Sequence, residues 1–149
     1  MTEIPENVHA GLAASPVRDV HVFGRRGPAQ VKFTPLELRE LGEIRDVDMV
    51  VYDEDFDLDD ASKTAIATNK QVMVMDRILQ GWRKREVGEA SRALHFHWWA
   101  RPVEILGDGK VEAIRWERTE PDGLGGARGT GEFREQAVQA VYRLSLIHI

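Results

Sequence analysis

Apolar and polar positions alternate in some stretches of the chain and recur with helical spacing in others. Asp19-Val20-His21-Val22-Phe23 alternates and is rich in β-branched and aromatic residues, which predicts a strand that stops at Gly24. A turn from Gly24 to Gln30, with Gly27-Pro28 inside it, leads to a segment whose apolar residues are Leu36, Leu38, Leu41 and Ile44. That spacing predicts a helix over Pro35 to Ile44. Its start is strongly marked. Thr34 suits the N-cap, Pro35 the first helical position, and Glu37 completes a capping box.

Val47 to Tyr52 reads as a second strand. The acidic run Asp53-Glu54-Asp55-Phe56-Asp57-Leu58-Asp59-Asp60 then reads as a solvated helix entry. Ala65, Val72, Met75, Leu79 and Trp82 recur at helical spacing, so one long helix is expected as far as about Trp82. The runs ALHFHWWARPVEIL and VEAIRWERTE flank Gly-Asp-Gly-Lys and predict a hairpin. A glycine-rich loop from Pro121 to Gly131 precedes a last strand around Ala137 to Tyr142. The order is β-α-β-α, then a meander, then a strand. Such alternation predicts an α/β fold, a parallel sheet with helices packed on it.

Neither end reads as an ordinary domain boundary. TEIPENVHAGLAASPV, punctuated by Pro5, Gly11 and Pro16, reads as a connecting segment, so a first βα unit is expected to lie upstream. At the other end AVQAVYR runs into LSLIHI. CTG TCT CTT ATA CAC ATC encodes that hexapeptide and matches the transposase mosaic-end tag of sequencing libraries. Residues 1–143 are therefore expected to be one partial domain, and Leu144 to Ile149 a non-native tail.

Composition changes the picture in two places. The net charge of −5 over 149 residues argues against general nucleic-acid or anionic-membrane binding. An arginine pair in such a chain reads as a local anion site. The absence of cysteine excludes disulfides, thiolate zinc sites and thiol catalysis, and is compatible with a cytoplasmic location. No apolar run approaches the roughly 20 residues of a membrane helix.

Arg25 and Arg26 follow directly on the first strand, with Gly24 and Gly27 on either side to let a backbone approach closely. In dinucleotide-binding folds an arginine at such a strand end accommodates a ribose 2′-phosphate, and its planar fork grips phosphate oxygens in pairs. Other features have plainer readings. His95 and His97 share one strand face with no third metal ligand in view, and read as sheet-surface histidines. The acidic run lacks calcium-loop spacing. Trp98 and Trp99 point to opposite faces, so one is expected in the core, and Met73 and Met75 read as packing.

The segment VFGRRGPAQVKFTPLELREL resembles the corresponding stretch of the adrenodoxin-reductase-type ferredoxin–NADP reductases. TEIPENVHAGLAASP, ARPVEILGDGKVEAIRWERTE and GTGEFREQAVQAVYR resemble the neighbouring parts of that family's NADP domain. The resemblance implies an incomplete Rossmann-like NADP-binding domain with an inserted β-meander. It implies that Arg25 and Arg26 hold the 2′-phosphate of NADP(H), and that Glu37 lies near the nicotinamide end, though the capping box already explains Glu37. It also implies FAD in the complete protein, a ferredoxin-type iron–sulfur partner, and transfer of electrons from NADPH to that partner. The chain alone is expected to be inactive. Two alternatives stay open: a non-catalytic module that binds a phosphorylated ligand, and a sibling NADPH flavoprotein with another electron acceptor.

Overall fold

Strands and helices alternate through the first half of the chain and antiparallel strands fill the second; the computed structural model describes residues 4–30 and 32–143. A helix, α1 (Glu6–Ala13), precedes β1 (Asp19–Phe23). The expected connecting segment is thus partly helical, although α1 buries none of its residues. After β1 a 3-10 turn (Pro28–Gln30) leads to α2 (Pro35–Gly42), and β2 (Val47–Val51) follows. A second 3-10 turn (Asp53–Phe56) leads to α3 (Asp60–Thr68) and α4 (Lys70–Arg83). Then come β3 (Arg92–His97), β4 (Ala100–Leu106), β5 (Ala113–Pro121) and β6 (Ala127–Ala137).

The first three strands form a parallel sheet in the order β1-β3-β2, and the last three form an antiparallel sheet in the order β4-β5-β6. The α/β fold with an appended meander is as the periodicity predicted. One core joins the layers. Leu38 of α2 and Met75, Leu79 and Trp82 of α4 pack with Met49 of β2 and Phe96 of β3, and Phe56, Trp98 and Trp99 close the cluster. Among the described residues no helix is long and apolar enough to cross a membrane.

Five local expectations are corrected. The single long helix is two helices, because Asn69 adopts an extended backbone and its side chain caps α4 by accepting from the N–H groups of Gln71 and Val72. Of the two pieces α4 alone makes the core contacts: α3 buries only Ser62, so the period that spans the break rests on Ala65 and carries no shared face. The run ALHFHWWARPVEIL is likewise two strands in two sheets. The chain changes sheet at Trp98–Trp99, where Trp99 takes a positive φ of 54°, and both tryptophans are 4% exposed. The last strand lies earlier than expected, at Ala127–Ala137, while residues 138–143 form no strand. The glycine-rich loop shrinks to a tight turn at residues 122–126, where Asp122 Oδ1 accepts from the N–H groups of Leu124 and Gly126.

Finally, the acidic run is not simply solvated. Asp55 is 2% exposed and pairs with Arg118, while Glu54 pairs with Arg134 and Asp53 with Arg83. These pairs tie the end of β2 to β5, β6 and α4. The hexapeptide from Leu144 to Ile149 lies outside the described residues.

Candidate functional site

The turn after β1 sits at the carboxyl end of the parallel sheet, the edge at which open α/β sheets bind ligands. Hydrogen bonds from both sheets fix its backbone. Gly24 N–H donates to His97 O at 2.8 Å, and Gly24 O accepts from Ala100 N–H at 3.0 Å. Arg25 O accepts from the Thr119 hydroxyl at 2.7 Å, and Arg26 O accepts from Trp99 N–H at 3.0 Å. The carbonyl of each arginine is therefore drawn into the antiparallel sheet. Arg25 is exposed and Arg26 half-buried. Among the described residues neither guanidinium has a hydrogen-bond or ion-pair partner. Near the joint of the sheets Arg101 pairs with Glu117, Arg118 with Asp55 and Arg134 with Glu54, and the arginine pair stands apart from these.

The two glycines of the turn have different jobs. A Cβ on Gly27 would overlap the Trp99 indole, whereas one on Gly24 would meet nothing closer than 3.6 Å. Gly27 thus permits a close approach to the core rather than to a ligand, and Gly24 has no steric need to be glycine. Glu37 lies in the first turn of α2, linked to the arginine turn by residues 28–34. The capping box forms as predicted. Glu37 N–H donates to Thr34 Oγ1 at 3.2 Å, and Thr34 N–H donates to Glu37 Oε2 at 2.8 Å. Glu37 Oε1 has no partner among the described residues.

The sheet face opposite the helices carries a stack of rings that sequence reading caught only in part. His95 and His97 do share a face, and His21 of β1 joins them. His21 Nδ1 and His97 Nε2 are 2.9 Å apart, and the His21 and His95 rings stack with centroids 4.3 Å apart. His95 also contacts Tyr52 OH and Asp19 Oδ1, each at 2.8 Å. Burial, with the neighbouring His95, lowers the His21 pKa, and burial with His21 and His95 lowers that of His97 to about 4. Burial raises the Tyr52 hydroxyl.

Between this stack and the antiparallel sheet lies a cavity of about 160 Å³, lined by Tyr52, Asp55, His97, Trp116, Arg118 and Arg134. Burial pushes the Asp55 carboxyl up, against the opposing pull of Arg118 and of Trp98 N–H, which donates to it at 3.1 Å. The hydrogen bond from Arg134 holds Glu54 down. Among the described residues the charges of the cavity, Glu54, Asp55, Arg118 and Arg134, pair with one another, which makes it a structural joint.

Thr119 and Trp99, which hold the arginine turn, were not legible as site residues. Their partners lie more than 70 positions away in the chain, so no local motif marks them.

No family model matches the chain. It is 36% identical over 146 residues to the NADPH-ferredoxin reductase FprA of Mycobacterium tuberculosis, a match covering 95% of this chain and 32% of the relative. It is 27% identical to the mitochondrial NADPH:adrenodoxin oxidoreductase of Arabidopsis thaliana, covering 90% of this chain and 30% of that protein. The solved structure of Mycobacterium tuberculosis FprA in complex with NADPH superposes with a TM-score of 0.72 at 37% identity, covering 82% of this chain and 28% of that one. The chain spans about a third of the length of the curated relatives it matches.

Proposed function

We propose that this chain is the 2′-phosphate-recognising part of the NADP domain of an NADPH-dependent flavoprotein oxidoreductase, with Arg25 and Arg26 as the phosphate-binding pair. The observation that carries the reading is the arginine turn itself. Two guanidiniums without partners among the described residues stand at the carboxyl end of a parallel strand, on a backbone fixed by hydrogen bonds from both sheets. Such a pair fits a phosphate monoester, which it can grip through several charge-assisted hydrogen bonds. The likeness to FprA and to adrenodoxin oxidoreductase, whose names specify NADPH, supports the choice of ligand.

In the complete protein NADPH, when bound, supplies a hydride to FAD, from which electrons pass singly to a ferredoxin-type iron–sulfur protein. The residues of this chain bind and orient the adenosine end. Glu37 is a further candidate toward the nicotinamide end, with one carboxylate oxygen spent on its cap and the other without a partner among the described residues. The residue range of the domain is taken as 1–143. The cytoplasm is the proposed compartment, in keeping with a chain that has no cysteine.

Titrating the full chain with adenosine 2′-monophosphate and adenosine 5′-monophosphate tests the reading. Replacing Arg25 and Arg26 together by alanine is expected to weaken the 2′-phosphate ligand by about tenfold or more, with the 5′ ligand unaffected. Equal affinity of the unsubstituted chain for both ligands would reject it. Tight binding of any phosphate monoester, whatever its sugar, would favour the simpler phosphate-binding module, since free guanidiniums suit that role too.

A further inference from the structure

We infer that Thr119 is a positioning residue for the arginine pair, sharpening its selectivity for a ribose 2′-phosphate without touching the ligand. The inference rests on the phosphate-binding reading of Arg25 and Arg26. Thr119 belongs to β5, in the other sheet, and is 3% exposed. Its N–H donates to Trp99 O at 2.8 Å while its hydroxyl donates to Arg25 O at 2.7 Å. Trp99 N–H in turn holds Arg26 O. One buried threonine therefore fixes the first arginine directly and, through Trp99, the residue that fixes the second.

The other hydrogen bonds that hold Gly24 and Arg26 run between backbone groups, which no substitution removes. Among the described residues the Thr119 hydroxyl is the one side-chain donor to the backbone of Gly24, Arg25 or Arg26. It can be deleted alone, because valine keeps the shape of threonine. Deletion leaves Arg25 O without its donor at a half-buried hydrogen bond, against a threonine that is itself sealed from water, and a carbonyl that loses its partner there favours a shift of the backbone. Two guanidiniums that share one phosphate need their relative placement held to about half an ångström, so a relaxed turn loses selectivity before it loses charge. The register of β5 is consistent with a dedicated placement. It shifts between Glu117 and Thr119, and brings Thr119 opposite Gly129 of β6.

The test uses the full chain with arginine side-chain and amide NMR signals as the readout, titrated with adenosine 2′-monophosphate and adenosine 5′-monophosphate. Thr119→Val is expected to lower the ratio of 2′ to 5′ affinity about fivefold, the scale of one lost hydrogen bond, and Thr119→Ser to restore it. A purely structural role would weaken both ligands alike and leave the ratio unchanged. If Thr119→Val keeps the ratio while alanine at Arg25 and Arg26 abolishes it, the role of Thr119 is overturned and the phosphate reading stands. If the unsubstituted chain shows no preference for the 2′ ligand, the phosphate reading falls and takes the inference with it. Should Thr119→Val not fold, the Thr119 hydroxyl of the unsubstituted chain decides. A proton protected from exchange, with the ratio intact in Thr119→Ser, supports the role, and a freely exchanging hydroxyl overturns it.

Discussion

At Gly27 even a methyl group would meet the Trp99 indole, and both residues are buried. Gly27→Ala is therefore expected to destabilise the protein by about 1–3 kcal/mol, the usual cost of overpacking. Gly24→Ala, whose added carbon would make ordinary van der Waals contact with Trp98 at 3.6 Å and which has no positive φ to strain, is expected to stay within about 0.5 kcal/mol. Urea denaturation of the two variants gives the comparison directly. From the sequence the two glycines look equivalent, flanking the same arginines. What separates them is an indole 72 positions away in the chain, and no local pattern carries that information. The arginines themselves, and the box formed by Thr34 and Glu37, were legible because strand ends and helix starts are written in adjacent residues.

Whole elements follow the same division. Helix starts and strand periods show through, while the changes of partner at Asn69 and Trp99 do not, since the apolar pattern continues across both. The histidine stack is an element-level feature, because it needs β1 beside β3 in register, with His21 level with His95 and Phe23 level with His97. The folded protein disfavours protonation of His21 and His97, whose pKa values lie below the ordinary 6.5. Below about 6.5 the unfolded chain binds more protons at both sites, so their contribution to stability is present above 6.5 and is lost as the pH falls, for His97 down to about 4. Asp19, Tyr52, Glu54 and Arg134 stand around the stack and set its field. Urea midpoints measured from pH 7 to pH 4 are expected to fall steadily. The fall between 6.5 and 4 is expected to be shallower in His21→Phe and His97→Phe, which remove one titrating ring each.

Across the whole molecule the two sheets are joined at the Trp98–Trp99 crossing and at the ion pair of Asp55 with Arg118, whose side chains are 2% and 14% exposed. A charge that shielded is costly to strand. Asp55→Ala is expected to cost about 3 kcal/mol, because Arg118 would remain in place with only backbone carbonyls and the more distant Glu54 to answer it. A lower urea midpoint with an unchanged slope is the expected result. This tie hides in the sequence inside a run of acidic residues, where one buried carboxylate looks like its solvated neighbours. The crossing has a further consequence. The four tryptophans are all nearly sealed from water, Trp82 among the helices, Trp116 in the antiparallel sheet, and Trp98 and Trp99 at the seam. The protein thus carries its own optical gauge: versions that keep a single indole would report, by emission colour alone, whether the helical layer, the meander or the seam loosens first.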